Sequence, residues 1–165
     1  MKFFDFGKSL YHFGKDNRKA VGLTLLCIGM AAFIFSNSLQ NGEESGNRSA
    51  WVAGVLQGFF AWMGVDQAMG EHLLRKTGHF LEYFAMGVLL ELTAQSYPGR
   101  AAAKTAAPYP AGLAVAACDE SIQRFVPGRS GQVSDVILDF CGVISGVMIC
   151  RLMRILMGRR RHRKV

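Results

Sequence analysis

Three short runs of this chain carry the side chains that proton transfer and anion binding require. In Lys76-x-x-His79-x-x-Glu82-Tyr83 the polar residues recur every three or four positions, so on a helix they share one face. Asp119 and Gln123 are four apart, with Glu120 turned to the neighbouring face, and Asp135 and Asp139 are again four apart. Arg129 and Ser130 lie between the second and third runs, and Ser36 stands upstream of all three. His79 suits a general acid/base, oriented by Asp119 or Glu82. Lys76 and Arg129 suit an anionic substrate, Arg129 with a fork that can grip two oxygens. Glu120, Gln123, Asp135, Asp139 and Ser36 complete the candidate binding set. A divalent ion between His79, Glu82, Asp119 and Asp139 would have an admissible nitrogen and oxygen ligand set. No H-E-x-x-H or paired-histidine spacing supports one, so no metal or other cofactor is expected. Neither Ser36 nor Ser130 lies in G-x-S-x-G, and Ser36 reads first as a cap or an interhelical hydrogen bond.

The elements that must position these groups are apolar. Half of the 165 residues are hydrophobic and only 19% are charged, which argues against a disordered chain. Four cysteines are too few for a disulfide-stapled secreted module; all fall in apolar stretches without metal-like spacing and read as buried free thiols. Residues 20–35 form an uncharged run that covers most of a bilayer's hydrocarbon. Ser36-Asn37-Ser38 resembles a cleavage site, but the long preceding basic region favours a retained span. Residues 73–93, 101–118 and 133–157 are further apolar stretches whose charges point to faces that meet one another and not lipid. Residues 51–65, short and holding both tryptophans, suit an interfacial or re-entrant helix.

The net charge of +7 resolves into topology. With four spans, Lys2, Lys8, Lys15, Arg18, Lys19, Arg100, Lys104 and the arginine-rich tail fall on one side, which the positive-inside rule makes cytoplasmic. Both termini are then cytoplasmic, and nucleic acid is not expected as a partner. The expected fold is all-α: a polytopic bundle of four transmembrane helices with an interfacial or re-entrant helix between the first two, in the plasma (inner) membrane. Residues 1–19 form a basic, aromatic cytoplasmic segment, 20–157 the bundle and 158–165 a basic cytoplasmic tail. Small residues at Gly142 and Gly146 permit close helix approach, and Ser134 is placed to cap the last helix. His12, His72 and His162 read as surface residues outside the cluster.

All three polar runs lie at the outward end of their helices on this topology. Charged side chains left singly in lipid cost roughly 2.5–3.5 kcal/mol each, so they must pair or line a wet cavity. One reading makes them a network that pins short helices together; another makes them a site.

The runs also resemble a known family. Phe35-Ser36, Lys76-x-x-His79-Phe80-x-x-Tyr83, Asp119-Glu120-x-x-Gln123-x-Phe125-x-Pro127-Gly128-Arg129 and Asp135-x-x-x-Asp139-x-x-Gly142-x-x-x-Gly146 are similar to the VanZ family. These are small integral membrane proteins associated with resistance to glycopeptide antibiotics such as teicoplanin. Arg75 stands where the family usually has an acid, and Asp139 where it commonly has asparagine. The resemblance implies a helical membrane fold and a cell-envelope role but no settled reaction. Two functions follow: an outward site that binds membrane lipid or a lipid-linked envelope precursor, or a membrane-embedded acid/base enzyme acting on a lipid-linked phosphate or similar headgroup.

Overall fold

Asp66 opens a 30-residue helix by accepting a hydrogen bond from the Met69 amide at 2.8 Å, a side-chain cap, and Tyr97-Pro98-Gly99 follows where that helix ends. A computed structural model describes residues 18–40, 51–52, 54–64, 66–129 and 131–162, and punctuation of this kind bounds six helices among those described residues. They are α1 (Arg18–Ser38), α2 (Gln57–Trp62), α3 (Gln67–Ser96), α4 (Ala101–Ala106), α5 (Pro108–Gln123) and α6 (Val133–His162). No strand occurs among the described residues. The N-terminal basic and aromatic segment up to residue 17, the polar turn at 41–49, Ser130 and the end of the tail lie outside them.

Pro108 separates α4 from α5 because its ring removes an amide donor and crowds the preceding turn. Ala107 keeps helical dihedrals (φ −54°, ψ −37°), so the two pieces continue as one broken rod. Four rods result, and their cross-links fix the directions. Thr24 meets Tyr97 at one end of α1 and Asn37 meets Glu82 at the other, so α1 and α3 are antiparallel. Lys76 pairs with Asp135 and Glu91 with Arg151, so α3 and α6 are parallel. Gln123 bonds Ser38 while Tyr109 bonds Arg151, which sets α5 against α6. Successive rods therefore alternate in direction, and Arg18 and the end of α6 share one end of the bundle.

α3 and α6 form the most extensive pair. A Cβ at Gly142 would sit 2.7 Å from the Phe80 carbonyl oxygen, and one at Gly146 would strike the Phe84 carbonyl and come 3.0 Å from the Val88 amide. The expected close approach at these two glycines is present, and only a hydrogen side chain allows it. Ile34, Tyr83, Met86, Ala116, Val143 and Val147 form the core from all four rods.

The outer surface is apolar. Leu25, Ile28, Ile137, Met148 and Ile155 are each at least half exposed. Of the expected spans, α1 and residues 133–158 of α6 are long and apolar enough to cross a membrane. Only 11% and 28% of those stretches are buried, unlike the core helices of a soluble protein. α3 carries too much charge to pass the same test, and Pro108 shortens α5. The aromatic stretch around α2 exposes Trp51, Phe59 and Trp62 and seats Phe60 against Gly70.

Two local expectations are corrected. Ser134 does not precede α6 but lies in its first turn, 3.3 Å from Gln132 Oε1 and Asp135 Oδ1. The cysteines are free but not buried: Cys118 and Cys141 are exposed on the outer faces of their helices, and Cys27, whose thiol lies 3.2 Å from the Thr93 hydroxyl, and Cys150 are half-buried.

Candidate functional site

The helix periodicity that groups the polar residues also brings them together. Around one end of the bundle, α3, α5, α6 and the loop 124–132 enclose a cavity of about 480 Å³. Lys76, His79, Glu120, Gln123, Arg129, Asp135 and Asp139 line it, as expected from the sequence. Asp119 lies behind them, fully buried, with a carboxylate oxygen, a His79 ring nitrogen and an Asp139 oxygen all within 4.8 Å of one another.

The loop is built to deliver Arg129. The Arg129 amide donates to the Val126 carbonyl at 3.2 Å, with Pro127 and Gly128 between them and Gly128 at φ +76°. Proline followed by a left-handed glycine is the signature of a type II turn. The loop then closes on α5: the Gln132 amide donates to Glu120 Oε2 at 2.8 Å, and a Cβ at Gly131 would strike the Glu120 carbonyl. Arg129 reaches back to donate to the Asn37 carbonyl at 3.1 Å. Burial lowers its pKa below the usual arginine value while Asp119 pulls the other way; arginine stays charged regardless.

Hydrogen bonds order the inner wall. Gln123 Nε2 donates both to Asp119 Oδ2 and to Ser38 Oγ at 3.1 Å, tying α5 to α1. Lys76 and Asp135 form an ion pair across the α3–α6 seam. Several buried atoms lack a protein hydrogen-bond partner among the described residues: His79 Nδ1, the Tyr83 hydroxyl, Asp119 Oδ1 and both carboxylate oxygens of Asp139.

Two expected members stand apart. Ser36 is exposed; the turn of α1 instead presents Asn37 and Ser38 to the site, one and two residues further on. Glu82 is not in the cavity lining; it accepts a hydrogen bond from Asn37 Nδ2 at 2.8 Å and so contributes to the α1–α3 seam. Two residues outside the candidate set also enter, and one of them, His72, corrects the expectation of a surface residue away from the cluster. Arg75 and His72 line the mouth, one helical turn before Lys76 and His79, with Arg75 Nη2 3.4 Å from His72 Nδ1. The i, i+4 relation of His72 to Lys76 and of Arg75 to His79 is the signal that would have found them. Tyr83, fully buried, packs in the core with its hydroxyl end near Asp119 and Asp139.

Chemically, cations ring the mouth and carboxylates with a histidine form the back. Such a cavity can hold an anionic group at its mouth and move a proton or bind a cation at depth. No curated protein and no solved structure matches the chain. The family model described as VanZ/LLP1 matches residues 23–154, a stretch that takes in most of all four rods and every residue lining the cavity. The chain therefore belongs to the VanZ/LLP1 family.

Proposed function

We propose that this chain is a multi-pass protein of the plasma membrane whose outward cavity binds the phosphate-bearing headgroup of a membrane lipid or lipid-linked envelope precursor. Family membership and two apolar helices point to the membrane. Four spans and cytoplasmic termini are the topology that best uses the alternating rods. The end that holds Arg18 and the end of α6 also holds Lys19, Arg100 and Lys104, and positive charge marks the cytoplasmic side. The α4–α5 rod covers residues 101–123, about 34 Å at 1.5 Å per residue, enough for a bilayer core. The aromatic residues around α2 then belong at the outer interface. A part in glycopeptide resistance, teicoplanin included, goes with this reading.

One observation carries it. Among the described residues the ion pairs are Lys76–Asp135, Arg151–Glu91 and Arg154–Glu91, and Arg129 is in none of them. Its guanidinium, half-buried at a cavity wall beside Arg75 and Lys76, feels the Asp119, Glu120 and Glu82 carboxylates without pairing with any of them, and its hydrogen bond among the described residues goes to a neutral carbonyl. Phosphate matches both its charge and its fork.

The test uses the full chain in lipid nanodiscs with a polyprenyl phosphate and the corresponding polyprenol. Binding of the phosphate alone is expected, weakened at least tenfold by Arg129→Ala and less by Arg129→Lys. Equal binding of the uncharged polyprenol, or an Arg129→Ala variant that binds like wild type, sinks the proposal. Reporter fusions at residues 45, 100 and 165 are expected to read outside, inside, inside.

The second reading, a membrane-embedded acid/base enzyme, is favoured by His79 Nδ1 lying buried and unbonded beside Asp119. Lipid profiles of a deletion strain restored with His79→Ala separate the two. Build-up of one headgroup species makes catalysis the better account, and an unchanged profile leaves binding in place.

A further inference from the structure

We infer that the back of the cavity is a site for one divalent transition cation, zinc or manganese, held by His79 of α3, Asp119 of α5 and Asp139 of α6. The residues come from three rods, yet one donor atom from each falls within 4.8 Å of the others. Donors of a tetrahedral ion at about 2.0–2.2 Å stand roughly 3.3–3.6 Å apart, so side-chain rotations that draw the three atoms about 1 Å closer complete the set.

Satisfaction of the buried atoms points the same way. Asp119 is 0% and Asp139 1% exposed, and between them they present three carboxylate oxygens without a protein partner among the described residues. His79 Nδ1 adds a fourth such atom. Two carboxylates this close repel, and the low local dielectric amplifies the repulsion. The Tyr83 hydroxyl can donate to one carboxylate oxygen and a shared proton can join two atoms, yet neither engages all three residues or cancels both charges. A divalent cation engages all three residues and cancels both negative charges, with His79 neutral. Imidazole with two carboxylates is the mixed ligand set that zinc and manganese accept.

The wall is also arranged to hold such an ion. Gln123 fixes Asp119 through Oδ2, turning Oδ1 free, and is itself bonded to Ser38. A held carboxylate of this sort commonly supports a metal ligand. Glu82, bonded to Asn37 at the α1–α3 seam, is not among the residues whose donor atoms meet within 4.8 Å. Three protein ligands leave a further coordination position, which here opens toward the cavity.

The site rests on its own geometry and holds whether or not the mouth takes a phosphate, and its test reads metal binding alone. The full chain in detergent is stripped with chelator, then titrated with zinc or manganese chloride, following bound metal by elemental analysis and unfolding by heat. One ion per chain is expected, with a rise in Tm of several degrees. His79→Ala, Asp119→Asn and Asp139→Asn should each weaken binding at least tenfold and abolish the rise, while Glu82→Gln keeps both. Metal-free Asp139→Asn should melt no lower than metal-free wild type, which separates lost ligation from lost folding. The inference is overturned if wild type binds no more metal than the Asp119→Asn, Asp139→Asn double variant. Equal loss on changing Glu82 overturns it too, as does a variant that binds poorly only because it melts lower without metal.

Discussion

The bundle holds two buried clusters of charge on the same helices, and they are built on opposite principles. Near the termini, Glu91 is fully buried and every part of it is used. Arg151 donates to it at 2.7 Å, Arg154 donates to its other oxygen and Gln95 adds a bond at 3.1 Å. Arg151 also reaches the Tyr109 hydroxyl and the Thr105 carbonyl and lies over the Tyr109 ring at 5.4 Å. At the cavity, twelve residues earlier on α3 and about 18 Å away along its axis, Asp119, Asp139 and His79 leave four buried atoms unbonded. Burying charge is costly in both places, and only the first cluster recovers that cost from protein partners. Residue type alone does not separate scaffold from site; the number of satisfied lone pairs does. The saturated cluster fastens α3, the α4–α5 rod and α6, and the unsaturated one is poised for something from outside the chain.

Substitutions can break this contrast, beginning where the effect is largest. Glu91→Ala leaves two arginines facing one another without counter-charge, and a loss of about 3–5 kcal/mol is expected. Thermal unfolding in detergent checks it, and a wild-type transition would mean the network fastens nothing. Gly146→Ala drives a methyl group into the backbone of α3 at Phe84 and Val88. A loss of about 1–3 kcal/mol in the same measurement is expected, since backbone cannot yield as a side chain can. Asp139→Asn has the opposite expected sign, with stability of the metal-free chain equal or higher by about 1 kcal/mol, because a buried repulsion is relieved. A marked drop in Tm would place Asp139 with the scaffold. The finest comparison lies within α1: Ser38→Ala should cost about 1 kcal/mol by orphaning one Gln123 bond. Ser36→Ala, at an exposed position, should stay within about 0.5 kcal/mol. Equal effects at the two serines would undo the assignment of the α1 face.

Much of the site was legible because helical periodicity is local. Lys76 and His79 share a face, as do Asp119 and Gln123, and the hydrogen bond between the last two is the expected i, i+4 relation made visible. Pro127-Gly128 is a turn-forming pair, and the turn it makes aims Arg129. Ser36 failed for a reason of the same kind: successive helical residues point about 100° apart, so a shift of one or two positions moves the contact to Asn37 and Ser38. The Glu91 network had no local signal. Its members are separated by as many as 63 residues, and an isolated glutamate or arginine in an apolar run looks the same whether paired or not.

Composition and charge pattern, acting through solvation and helix periodicity, determined by themselves that apolar helices form, which faces turn inward and that acids and bases crowd one end. The choice among those acids was tertiary. The packing of the rods, with α3 close to α6 over glycine, brings His79, Asp119 and Asp139 within 4.8 Å, while Glu82, bonded to Asn37, is not in that group. Coordination and hydrogen bonding depend on separations of a few tenths of an ångström between residues distant along the chain, and only packing sets those separations.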